Sequence, residues 1–328
     1  MVYATSLIKT ICALAGEPTL IEDSRAEFAY IGLLDAIQRH HDGAIFNWLI
    51  EAVSYQGVSD AVAASYIDEH GCISAIDIAR GLKTKPPCPK LRSYWHFNGC
   101  GFRKTYGICN EQRYFAECPL PKHDLRNGSL SQAAYSLYLF MRDVAGGDFV
   151  TWLDNQLEQA DRPTARDRTR RLVEAVVTPL TNVHGVSFKV LNMSLAMLLL
   201  AGDSRRDRWI AAGAGMIAID TLIHNWMHRS GILRRLGAQH NYGPQCYGIN
   251  GCAAVIELVS RRIDARKFNA DFPKVFPRFV QKAIWSFCAQ SGFDICNGNQ
   301  VDDSKSCQQT TCPIYDRCGR VALDPLPR

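Results

Sequence analysis

The chain has 328 residues, 47% of them hydrophobic and 21% charged, and a formal net charge of +5. It is long enough for one large or two modest domains with real cores, and its composition is that of an ordinary globular protein. The longest apolar segments, such as 190–202, are too short to span a bilayer, so no membrane partner is expected. The mild positive charge is compatible with a polyanionic partner and does not demand one.

The N-terminus carries one early lysine, Lys9, and an apolar run broken by Gly16, Glu17 and Pro18, with no cleavage-site pattern. The expectation is a cytoplasmic protein. Thirteen cysteines in a reducing compartment then point to metal rather than to a disulfide framework.

Residues 1–45 read as helical, with apolar residues at helical spacing over 26–37 after the N-cap candidates Asp23 and Ser24. A helix from Phe46, a break at Gln56-Gly57-Val58 and a second helix capped by Ser59 or Asp60 account for 46–67. A shorter helix follows at 73–81, and prolines make 83–89 a loop. From Cys88 to Cys118 the character changes: four cysteines (Cys88, Cys100, Cys109, Cys118), aromatics including Tyr94, Trp95, Phe97 and Phe102, and few aliphatics. No amphipathic helix accommodates that pattern, which reads as an insertion held by something other than a core. Helices resume at 131–145 and 148–159, and a charged stretch, 160–171, leads into another at 172–180. Beyond a central stretch at 183–226 come a Gly-rich loop (237–251), helices at 253–263 and 280–290, and a cysteine-rich tail. Strand patterns are scarce and no solenoid repeat is present, so the fold class is all-α. Arg162, Arg166, Arg168, Arg170 and Arg171 precede the central stretch, and Arg205, Arg206 and Arg208 fall inside it. They are either solvated helix ends or a phosphate-facing rim.

The central stretch opens with Val183-His184-Gly185-Val186-Ser187-Phe188-Lys189 and later reads Ala218-Ile219-Asp220-Thr221. Lys189 follows a glycine-containing turn and begins a helix of mostly apolar residues. An ammonium against such a wall loses hydration, which lowers its pKa and makes the neutral amine a nucleophile toward a carbonyl-like carbon. Asp220 stands where a second helix would start, as a cap and as a negative charge near a low-dielectric site. Taken alone, the two residues read first as a snorkelling lysine and a plain N-cap.

The order of the pieces, however, resembles the helix–hairpin–helix DNA glycosylase superfamily, the endonuclease III group in particular, where a Leu-Pro-Gly-Val-Gly-x-Lys hairpin precedes a Val-Asp-Thr helix start. The likeness covers 40–82 and 170–320. It puts Lys189 on the family's Schiff-base lysine and Asp220 on its essential aspartate. Gln56, in Ser54-Tyr55-Gln56-Gly57-Val58-Ser59-Asp60, falls where the family fills the gap left by an extruded base. His184, Gly185 and Ser187 become DNA-binding hairpin residues. His184 stands where proline is usual, and Ser187 where the second glycine is usual. The lysine-to-aspartate separation, 220 − 189 = 31 residues, exceeds that of the compact motif, and the arginine-rich 203–209 segment is expected to be a loop within it.

The resemblance implies an all-α, two-domain helix–hairpin–helix glycosylase architecture. N-terminal helices (1–45) would pack with the C-terminal domain. A helical barrel (46–205) would contain the Cys-rich insertion (84–130) and the hairpin (183–189), and a C-terminal helical domain (206–328) would carry a four-cysteine metal loop (296–318). The implied protein is a monomeric DNA repair-type glycosylase with AP lyase activity on double-stranded DNA that holds a damaged or modified base. It would flip and excise the base through a Lys189 imine assisted by Asp220. Two alternatives stand beside it: a non-catalytic lesion- or structure-binding protein on the same scaffold, and a monofunctional glycosylase without lyase activity.

Cys296, Cys307, Cys312 and Cys318, spaced C-x10-C-x4-C-x5-C, are soft ligands that fit a cubane iron–sulfur cluster or zinc. The family's cluster loop, whose last gap is also x5, favours a structural [4Fe–4S] cluster; the first two gaps here are longer than the family's. Cys88, Cys100, Cys109 and Cys118, spaced C-x11-C-x8-C-x8-C, match no family signature. They are either scattered thiols or a second metal site, cluster or zinc, that orders the insertion. Cys12, Cys72, Cys246, Cys252 and Cys288 read as ordinary core cysteines, with Cys288 a substitute ligand for the tail. His96 and His123 read as surface or satisfied histidines.

Overall fold

A computed structural model describes residues 1–55, 60–83, 88–98, 100–103, 108–113, 120, 125 and 129–323. Gln56 and Cys118 lie outside the described residues, so their expected roles rest on sequence alone. Among the described residues the protein is all-α apart from one antiparallel hairpin, Phe102–Arg103 with Ile108–Cys109, in which Phe102 pairs with Cys109. No described helix is long and apolar enough to cross a membrane.

The chain divides into two compact units, Met1–Asp23 with Ile210–Arg328, and Ser24–Trp209. The N-terminal segment that joins the C-terminal unit therefore stops at Asp23, not at residue 45. Side chains explain the shift. Phe28 meets Trp48 edge-on at 5.0 Å, and the helix Leu33–Gln38 buries Leu33, Ala36 and Ile37, so 24–45 is tied to the helix Asp42–Ser54. The continuous helix expected over 26–37 is instead two, Leu20–Tyr30 and Leu33–Gln38, because Gly32 adopts a left-handed φ of 74° between them.

In the Ser24–Trp209 unit the helix Phe188–Gly202 buries eleven of its fifteen residues, the behaviour of a helix that is apolar nearly all round and enclosed by its neighbours. It packs against Leu33–Gln38, Asp42–Ser54 and Arg168–Leu180. The Cys-rich insertion is anchored to this core by a short helix, Tyr94–Phe97, capped by Ser93. Tyr94 packs edge-on against Phe140 at 5.3 Å, and its N–H donates to Asp143 Oδ2 at 2.7 Å.

In the other unit Val2–Ala15 buries Leu7, Ile8, Ile11 and Cys12 and packs along Pro277–Cys288. The helices Thr221–Arg229 and Cys252–Ser260 complete that core. The chain's beginning and end are stitched together here: Tyr3 donates to Ser230 O at 2.6 Å, and Arg317 donates to Ser6 Oγ at 3.2 Å and Thr10 Oγ1 at 2.9 Å.

One expected loop is shorter than the sequence suggests. The 203–209 segment turns only as far as Arg206; a helix, Asp207–Gly215, follows, and 216–219 run without helix into Asp220. The long lysine-to-aspartate spacer thus holds an additional helix.

Candidate functional site

The helices Arg168–Leu180 and Phe188–Gly202 pack against each other and are joined by the turn 181–187. Gly185 takes a left-handed φ of 67° in the turn, which an L side chain adopts only at a cost. Ser187, where the family has glycine, caps the second helix by accepting from Val190 N at 3.4 Å. His184, where the family has proline, spends the N–H that proline lacks on Ser136 Oγ at 3.0 Å. Its ring lies edge-on to Phe97 of the insertion at 6.4 Å. Of the residues expected to bind DNA, Gly185 is thus exposed, Ser187 is half-buried as a cap, and His184 is half-buried against the insertion. Lys189, the second residue of the helix, is half-buried and has no carboxylate within ion-pair distance among the described residues.

Asp220 belongs to the other unit. It is the N-cap of Thr221–Arg229, its Oδ1 accepting from Ile223 N at 2.9 Å, as the sequence predicts. The preceding peptide is also held, because Ile219 N donates to the Tyr247 hydroxyl at 2.9 Å. Arg278 is buried nearby: desolvation lowers its guanidinium to about 10, while the charges of Tyr247, Glu17 and Asp220 pull the other way. Burial raises the Tyr242 hydroxyl, and Asp220 adds to that. Asp220 therefore sits among a buried cation and two phenols.

The four tail cysteines share one neighbourhood. Burial pushes the Cys312 thiol up to about 11, with Cys296, Cys318 and Cys307 adding, and Cys318 is raised by burial and by Cys296 and Cys307. Thiolates need donors, and two are in place: Arg229 Nη1 reaches Cys296 Sγ at 3.3 Å, and Arg320 N reaches Cys318 Sγ at 3.5 Å. Arg229 is itself buried and paired with Asp303. Cys288, fully buried, hydrogen-bonds with Cys296 and is close enough to replace a ligand. In the insertion Cys100 and Cys109 lie near enough to Cys88 to add to the burial that raises its thiol. Glu111 N donates to Cys109 Sγ at 3.3 Å, and Gln132 Nε2 to Cys100 Sγ at 3.7 Å.

Cys246 and Cys252, read from sequence as ordinary core cysteines, are buried, and two histidines stand beside them. His224, His240, Cys246 and Cys252 bring their ligand atoms within 4.8 Å of one another, a set that could hold a metal ion. Cys246 Sγ lies 3.4 Å and Cys252 Sγ 3.6 Å from His224 Nδ1, and Cys252 Sγ lies 3.5 Å from His240 Nε2. The Cys246 thiol is lowered to about 3, first by its hydrogen bond with Cys252 and then by His224 and His240. His240 Nδ1 donates to Ala238 O at 2.7 Å, which leaves Nε2 with its lone pair toward the sulfurs. The sequence signal was present as H-x15-H-x5-C-x5-C, across the Gly-rich loop, but such a spacing belongs to no periodic pattern and is easily passed over.

The arginines near the hairpin are mostly engaged by carboxylates. Arg168 and Arg208 both bond Asp161, Arg170 and Arg171 bond Asp167, Arg205 and Arg206 bond Asp203, and Arg206 also pairs with Asp154. A cavity of about 280 Å³ in the same unit is lined by Asp42, Phe46, Ile76, Tyr138, Met141 and Arg142, and contains none of the expected site residues. Comparison with known proteins gives no matching family profile, curated protein or solved structure.

Proposed function

We propose that the chain is a helix–hairpin–helix DNA glycosylase with AP lyase activity, acting on double-stranded DNA that carries a modified or damaged base. The observation that carries this reading is the hairpin: a left-handed Gly185, a Ser187 cap and a half-buried Lys189 with no carboxylate partner among the described residues. An amine held at a helix start and not locked in an ion pair is available as a nucleophile.

In this reading the target nucleotide leaves the stack, and Gln56 fills the gap. As the N-glycosidic bond breaks, the base leaves with the bonding electron pair and the sugar becomes oxocarbenium-like. Asp220 stabilises that charge or takes the proton from the attacking amine. Lys189 bonds to the anomeric carbon, the sugar ring opens to an imine, and loss of a C2′ proton expels the 3′ phosphate. Gly185, His184 and Ser187 shape the turn that approaches the backbone, although His184 contributes no spare N–H.

Cys296, Cys307, Cys312 and Cys318 would suit a [4Fe–4S] cluster by donor chemistry: four thiols, Cys312 feeling the charge of the other three and Cys318 that of Cys296 and Cys307, with N–H donors on two of the four. Such a cluster would order the 296–318 loop, which has only one short 3-10 turn, Tyr315–Arg317. Cys88, Cys100 and Cys109, with Cys118, would hold a second cluster or zinc in the insertion.

The test is borohydride trapping on abasic and modified-base duplexes. Wild type should form a covalent adduct, and Lys189→Ala should lose it at least a hundredfold while keeping its helical signal. A Lys189→Ala variant that traps like wild type removes the lysine from the reaction. Free base without strand cleavage in wild type would make the enzyme monofunctional, and DNA binding without base release across the panel would favour the non-catalytic reading.

A further inference from the structure

Single-ion sites and iron–sulfur cubanes differ in how tightly their ligands gather. Around one tetrahedral zinc, with bonds of about 2.3 Å to sulfur and about 2.0–2.1 Å to nitrogen, a sulfur and a nitrogen sit about 3.6 Å apart. The three sulfur–nitrogen separations in the His224, His240, Cys246 and Cys252 group are 3.4, 3.6 and 3.5 Å. A cubane spreads its thiolates around a much larger body, so ligands that touch one another leave no room for it. Two thiols and two imidazoles in tetrahedral contact are the donor set of zinc.

The surrounding structure is built for such an ion. Cys246, in the 237–251 loop, and Cys252, at the start of the helix that follows it, are fully buried, although Gln239, Asn241, Tyr242, Gln245, Ile249 and Asn250 of that loop are exposed. That loop has only the 3-10 turn Pro244–Tyr247 and little apolar surface to fold around. It closes on itself so tightly that a Cβ at Gly251 would lie 2.3 Å from Gln245 O and 2.4 Å from Cys246 O. The outer nitrogen of one ligand histidine is fixed as well: His240 Nδ1 donates to Ala238 O, and the His240 carbonyl accepts from His228 Nε2 at 2.9 Å, whereas His224 Nε2 is buried without a hydrogen-bond partner among the described residues.

We propose that His224, His240, Cys246 and Cys252 form a tetrahedral Zn²⁺ site, separate from the cysteine tail, that fastens the 237–251 loop to the helix Thr221–Arg229. The site goes beyond the glycosylase reading and does not depend on it. It has a structural consequence for Asp220: Tyr247, adjacent to the ligand Cys246, holds Ile219 N, and His224 lies one turn along the helix that Asp220 caps. Zinc thereby positions Asp220 through the loop rather than by touching it.

The experiment measures zinc per chain by plasma emission, and the zinc-edge X-ray absorption, on full-length protein purified without chelator. Wild type and Cys307→Ser, in which the tail is impaired, each compared in a Cys100→Ser background that disables any zinc site of the insertion, should retain about one zinc with two sulfurs at about 2.3 Å and two nitrogens at about 2.0–2.1 Å. Cys252→Ser and His240→Ala should lose that zinc shell while keeping the iron of wild type. The proposal is overturned by a zinc shell of sulfur alone in Cys307→Ser, by folded wild type without zinc, or by an unchanged shell in Cys252→Ser. If Cys252→Ser does not fold, the wild-type and Cys307→Ser edges decide alone. Failure of borohydride trapping with an intact S₂N₂ zinc shell would remove the glycosylase reading and leave the metal site standing.

Discussion

Asp220 caps the Thr221–Arg229 helix through one carboxylate oxygen and carries the charge that the proposed chemistry uses. Substitution separates the two roles, because asparagine caps a helix about as well as aspartate whereas alanine costs about 1 kcal/mol. Asp220→Asn should therefore unfold in urea within a few tenths of a kcal/mol of wild type, and Asp220→Ala about 1 kcal/mol earlier, with both losing base excision. Equal excision by Asp220→Asn and wild type would reduce the residue to its cap. The arginines carry the opposite lesson. Most of the charges that read as a phosphate rim are held by Asp161, Asp167 and Asp203, so they cannot neutralise phosphates without first giving up a partner.

The same ion pairs act between elements. Asp161 ends the helix Phe149–Ala160 and joins it to Arg168, at the start of Arg168–Leu180, through bonds of 2.6 and 3.0 Å. Arg168, and after it Arg208, holds the Asp161 carboxyl below the usual carboxylate range. A folded pKa below the unfolded value of about 3.9 gives stability that is fully present above that value and lost as pH falls through the folded one. Amide protection where these two helices join should be flat from neutral pH to about 5 and fall below about 4. Asp161→Asn should weaken the junction at neutral pH and abolish that acid step. An unchanged step in the variant would place the titrating group elsewhere.

At the scale of the whole molecule, the first helix belongs with the last third of the chain. Leu7 is fully buried in the unit that contains Pro277–Cys288. Truncating such a leucine to alanine costs about 2–5 kcal/mol. In Leu7→Ala, hydrogen exchange should accelerate in Pro277–Cys288 and Thr221–Arg229 while Phe188–Gly202 keeps its wild-type protection. Acceleration of equal size in all three helices would mean that the two units unfold as one.

The sequence by itself determined the helical class, most of the helices and one cap, because these are local: apolar spacing names a buried face, and Asp220 before an apolar run names a start. It also marked the four tail cysteines as metal-ligand candidates, since soft ligands crowded into a short stretch raise that expectation without help from the fold. Only the tertiary structure decided the rest. Gly32 splits a helix whose periodicity continues through it, and the unit boundary falls at Asp23 because Phe28 finds Trp48. Asp154 reaches Arg206, and His224 meets Cys252, across 52 and 28 residues respectively. Contacts at such separations follow from how helices pack, and no local pattern of residues encodes them. For that reason the hairpin lysine and the capping aspartate were legible as candidates from the chain alone, while the grouping of His224, His240, Cys246 and Cys252 was not.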